Sequence, residues 1–112
     1  MPLSGKDREF KFDIKAIGAI IKRLDISIDK IGDIMTSNPF EAYPAIIVEG
    51  IKRGCEKSKS ISPDEDTVMD WIEEDGIMGE NVINIIKSFS DSIVSLLPKQ
   101  DGVKVPNGKA KK

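Results

Sequence analysis

The residues of this chain best equipped for chemistry gather in Ser62–Gly76, "SPDEDTVMDWIEEDG". The stretch holds seven carboxylates, no basic residue and the sole tryptophan. A calcium loop of the EF-hand type would need oxygen ligands at its first, third, fifth and twelfth positions and a glycine at the sixth. Counted from Asp64, the third position is Asp66, but the fifth is Val68 and the sixth Met69, so the pattern fails. Acid–base catalysis by paired carboxylates requires one of them buried with a raised pKa. These acids cluster at helix ends, with no Gly-rich phosphate loop or serine motif nearby. The chain has no histidine, which removes the commonest general base and metal ligand. Cys55 is the only cysteine, so there is neither an internal disulfide nor a zinc cluster. No catalytic, cofactor or metal site is expected, and the chain is not read as an enzyme.

A helix explains the same acids. Ser62 is expected to cap it, Pro63 takes the first position, and Glu65 completes a capping box. Asp64, Glu65 and Asp66 then stand where the helix dipole favours negative charge, and Gly76 ends the helix. Glu73, Glu74 and Asp75 fall at the unfavourable C-terminal end. That surplus marks them as a candidate docking surface for a basic partner, with Trp71 either filling the core or anchoring the partner.

Further elements must position this stretch. "REFKFDI" alternates Phe10, Phe12 and Ile14 with Glu9, Lys11 and Asp13, which predicts a short N-terminal strand. Its only candidate mate within the chain is "GVKV", Gly102–Val105; otherwise it would pair between subunits. Asp13 is expected to cap a helix over residues 14–24, with Ile14, Ile17, Ile21 and Leu24 on one stripe. Ser27 can cap a short helix over residues 28–36. Asn38, Pro39 and Glu41 open another, with Phe40, Tyr43, Ile47 and Ile51 inward, and Pro44 predicts a bend or a restart. Gly50 and Gly54 form a smooth strip suited to close packing of a neighbouring helix. Residues 80–97 make the longest helix, with Val82, Ile86, Phe89, Ile93 and Leu97 as its stripe. The expectation is a mainly α bundle of about five helices with a short N-terminal strand, one domain over residues 1–97, and a flexible basic tail over 98–112.

Charge divides along the same line. The chain carries a net −2. Beyond Leu97 five lysines face Asp101 alone, so the tail is +4 and the body −6. An acidic body argues against a nucleic-acid reader. No apolar run approaches the ~20 residues of a membrane span, and no signal peptide is visible, so a cytoplasmic protein is expected.

Three patterns together resemble one family. They are the entry "F-x-F-D-I-K-A-I", the helix leading to "GIKRG", and the helix "S-P-D-E-D-x-V-x-D-W-I". Residues 9–97 are similar to the tail assembly chaperones of long-tailed phages and prophages of low-GC Gram-positive bacteria. The resemblance implies a protein that binds the tape measure protein and keeps it soluble until the tail tube protein polymerises around it. It implies self-association, a longer frameshifted form that could reach the tail tube protein, action in the host cytoplasm and absence from the mature virion. The alternative is a small helical adaptor that binds one protein partner. Either role needs an exposed apolar helix face or groove. Ile28, Ile31, Ile34 and Met35 are the candidates, on a helix short and apolar for its length; ordinary core is the competing reading.

Overall fold

A computed structural model describes residues 1–96. Leu97 and the tail expected over 98–112, "GVKV" included, lie outside the described residues. The described chain is mainly α: two short strands, β1 (Pro2–Leu3) and β2 (Lys6–Asp7), precede α1 (Ile14–Leu24), α2 (Ile31–Ser37), α3 (Pro39–Ser58), α4 (Glu65–Asp75) and α5 (Glu80–Leu96). Helix α3 is the hub. It packs against α1, α2, α4 and α5, and ten of its residues are buried. The core is aliphatic, with Phe12 and Phe89 meeting edge to face at 5.4 Å between centroids.

The N-terminal strand lies elsewhere than the alternation of residues 9–14 suggests. β1 and β2 pair antiparallel, Pro2 with Asp7 and Leu3 with Lys6. The turn between them places Ser4 and Gly5 at positive φ (56° and 78°), the two-residue hairpin geometry that suits the twist of paired strands. Arg8 extends the hairpin by exchanging backbone bonds with Met1, both at 2.9 Å; residues 9–12 pair with no strand among the described residues and run across α3. The Lys11 amide donates to the Gly50 carbonyl (3.0 Å). A Cβ built at Gly54 would stand 2.5 Å from the Glu9 carbonyl oxygen, and one at Gly50 would stand 2.5 Å from the Phe12 ring. The glycine strip therefore receives an extended arm, where the sequence suggested a helix. Phe12 turns inward and Lys11 outward, so the alternation is real but serves a helix surface instead of a sheet.

Helix ends follow local chemistry in part; at α3, Asn38 stands at the cap position but makes no side-chain cap bond, its Nδ2 donating instead to the Glu41 carboxylate at 3.3 Å. Asp13 caps α1 as expected, accepting from the Ala16 amide at 3.0 Å. Its other oxygen takes Arg53 Nε at 2.8 Å, joining α1 to α3. Burial alone would raise the Asp13 pKa; the Ala16 amide and Arg53 outweigh it and hold the carboxyl below its usual range. Replacing Asp13 with Ala is expected to cost about 1–2 kcal/mol of stability, the upper range for an N-cap, because it also frees Arg53. Urea unfolding measures this.

The cap of α4 is Asp64, not Ser62: Asp64 accepts from the Thr67 amide at 2.8 Å, and Ser62 Oγ turns to the Pro63 carbonyl. With Asp64 as the cap, Glu65 is the first helical residue and not the third, so it closes no capping box; it pairs with Arg23, which also reaches Glu49 on α3 at 3.2 Å. Before α2, the Ser27 side chain makes no cap bond; its hydroxyl donates to Asp29, its carbonyl accepts from the Lys30 amide at 2.9 Å, and a 3-10 turn (Ile28–Lys30) replaces the first helical turn. Pro44 neither breaks nor restarts α3, which runs unbroken from Pro39 to Ser58 with Pro44 buried. Proline one turn from the helix start forfeits only the bond to the Phe40 carbonyl.

Candidate functional site

Helix α1 carries more aliphatic residues than one buried face can take. Ala16, Ile17 and Ile20 turn inward, against the hub helix. This rotates the buried face away from the stripe read off the sequence. Ile14 is 73% exposed, and Ile21 and Leu24 are half-buried. Ile14 and Ile21 line a groove of about 270 Å³ with Ile17, Gly18, Ile28, Ile93 and Leu96, between α1, the 3-10 turn and the end of α5. Every side chain lining it is aliphatic.

The sequence-derived candidates separate on this geometry. Ile28 lines the groove. Ile31 is buried in the core, and Ile34 and Met35 are half-buried against it. The four therefore do not form one exposed face. What the sequence reading missed is the contribution of α1 and α5. The available signal was Ala16 and Ala19, whose small side chains mark the close-packed side of α1 and leave Ile14 and Ile21 facing away.

The acidic end of α4 serves a different purpose. Asp75 accepts from the Ser4 amide at 2.8 Å and from Asn81 Nδ2 at 2.9 Å, and Glu74 accepts from Ser4 Oγ. These carboxylates latch the hairpin turn onto α4 and onto the start of α5. Glu73 is exposed, with no hydrogen bond or ion pair among the described residues. Trp71 is half-buried beneath the Arg8 guanidinium, 3.6 Å from the ring centroid, a cation–π contact. Arg8 Nε also donates to the Leu3 carbonyl, so the tryptophan helps to seat the hairpin.

The latch is pH-sensitive in a defined direction. The Ser4 amide, then Asn81, and to a smaller extent Arg8, hold the Asp75 carboxyl below the usual carboxylate range. A lowered native pKa stabilises the fold above the unfolded value of about 3.9. That contribution fades as pH falls through the native pKa. Asp75→Asn is therefore expected to narrow the gap between urea midpoints measured at about pH 7 and about pH 3.

Among the described residues no group of His, Cys, Asp and Glu is placed to hold a metal ion. Burial, followed by Glu9, pushes the Cys55 thiol up, which leaves it a weak nucleophile. No described helix is long and apolar enough to cross a membrane. No family model, curated protein or solved structure matches the chain.

Proposed function

We propose that this protein is a phage tail assembly chaperone that holds the tape measure protein soluble, with the α1–α5 groove as the surface that engages it. The observation that carries the reading is the groove itself. Its lining is aliphatic throughout, and Ile14 is left mostly exposed at its edge. Such a trough accepts the apolar face of an amphipathic helix, and a long helical target offers many faces of that kind. The chemistry it offers is burial of apolar surface, which tolerates varied sequences. The sequence patterns of residues 9–97 supply the choice of target.

Co-expression tests it. The tape measure protein of the same phage is expected in the soluble fraction with the native chain and in the pellet with I14D/I21D. Ile14 is largely exposed but Ile21 is half-buried against the core, so circular dichroism must show the variant still helical, and I14D alone serves as the control. A tape measure protein that precipitates equally with and without the native chain overturns the reading. If the chain instead retains one unrelated protein partner, it acts as an adaptor.

A further inference from the structure

The hairpin and the arm form one extended run whose backbone groups alternate in direction. Met1 and Arg8 exchange both backbone bonds, each 2.9 Å, which makes them a hydrogen-bonded pair of an antiparallel ladder. In such a ladder every second residue turns its N–H and C=O to the same edge. The Lys11 amide obeys this, pointing away from the Met1 edge to the Gly50 carbonyl. The Phe10 and Phe12 rings stack 6.2 Å apart, as side chains two residues apart on one face of an extended chain do. Phe10 and Phe12 therefore turn their amides and carbonyls to the edge that β1 covers earlier in the run. None of these four groups is hydrogen-bonded among the described residues.

That edge opens on a cleft of about 320 Å³, with Met1 and the arm on one side and α5 on the other. Helix α5 presents Ser88, Ser92 and Ser95 to it. Spacings of four and three put these serines in one row along the helix. The row is ~10.5 Å long, and three extended residues cover ~10 Å. β1 itself lies against α5, so a strand in line with β1 runs along the serine row.

We infer that this cleft binds an extended segment of a partner protein, added antiparallel to residues 10–12 in line with β1. One edge of the added strand pairs with the backbone of Phe10 and Phe12. The other edge meets serine hydroxyls, each able to donate and to accept. Both edges of the ligand are satisfied inside the cleft, which a helix, with its backbone already bonded internally, does not require. Register sets the side-chain preference. Residues opposite Phe10 and Phe12 point to the same face as those rings and are apolar or β-branched; the residue opposite exposed Lys11 points outward and is acidic. The cleft shares Leu96 alone with the α1–α5 groove, so it is a second surface, independent of what the groove holds.

The probe is the N-acetylated, C-amidated hexapeptide TVTVEV. Its glutamate faces Lys11, and the valines on either side of the glutamate face Phe10 and Phe12. In backbone amide spectra of the full native chain, the peptide is expected to shift the Phe10 and Phe12 amides saturably downfield and to slow their solvent exchange. The amides of the deeply buried Ile46 and Ile47 stay in place. N-methylation of the last valine removes the donor to the Phe10 carbonyl and weakens binding ~10-fold. Ser92→Leu fills the serine wall and abolishes the shifts, with circular dichroism as the check that it folds; the methylated peptide carries the test if it does not. Phe10 and Phe12 amides that ignore the peptide overturn the inference, and so does a methylated peptide that binds equally well. Amides already protected in the free chain overturn it too. Protection that grows with protein concentration makes a second copy the occupant, and constant protection makes it another segment of this chain. Failure here leaves the co-expression result untouched.

Discussion

Replacing Phe89 with Ala lowers the free energy of unfolding by about 3–5 kcal/mol. Phe89 is fully buried on α5 and meets the Phe12 ring edge to face. Truncation removes the transfer free energy of a whole ring and leaves a cavity that flanking helices can only partly close. It also strips Phe12 of its aromatic neighbour, so the loss reaches the arm that crosses α3. A domain of this size has about 5–15 kcal/mol in hand, so the variant should be close to unfolding at ordinary temperature. Urea denaturation followed by circular dichroism measures the change. Phe40→Ala is the control. The sequence pattern put Phe40 on the inner stripe of α3, but it is 73% exposed, and its removal should stay within about 0.5 kcal/mol. Equal losses for the two variants would contradict the packing described above.

Gly54→Ala is expected to destabilise by about 1–3 kcal/mol, although alanine is the better helix former. The new methyl would meet the carbonyl oxygen and carbon of Glu9 at 2.5 and 2.6 Å and the Phe10 amide nitrogen at 2.8 Å. These are backbone atoms, so no rotamer change relieves the clash; the arm must lift. Lifting it breaks the bond from Lys11 to Gly50 and pulls on the hairpin beyond. Gly32→Ala on α2 supplies the opposite sign. Nothing lies within 4 Å of its Cβ position, so the ordinary helix gain of about 0.5–1 kcal/mol should appear. The pair of variants separates propensity from packing in a single thermal-melt experiment.

Residue types alone located most elements because their signals are local. Asp13 followed by an Ile-rich run, Asn38-Pro39 before another, and Gly76 after a third mark helix ends through dihedral preference and hydrogen bonds within a few residues. Where a second element competes for the same group, the local reading fails. Glu65 was expected to close a capping box with Ser62, but Asp64 takes the cap, and Glu65, now the first helical residue, pairs with Arg23 from α1. Asp75 at the wrong end of a helix dipole looked like a surface kept for a partner. It is held there by the Ser4 amide, from the other end of the chain.

The sequence by itself determined a mainly α chain, the span of α1, the opening of α3 at Pro39 and the acidic body with its basic extension. These follow from composition, periodicity and capping, which act over a turn or two of helix. Only the tertiary structure decided which side of α1 is buried, that residues 9–12 form an arm and not a strand, and that Ile14, Ile21, Ile28 and Leu96 share one groove. Each depends on contacts between residues tens of positions apart. An isoleucine has the same intrinsic preference for burial on either face of its helix, and only the surface available on a neighbouring element determines which face is used.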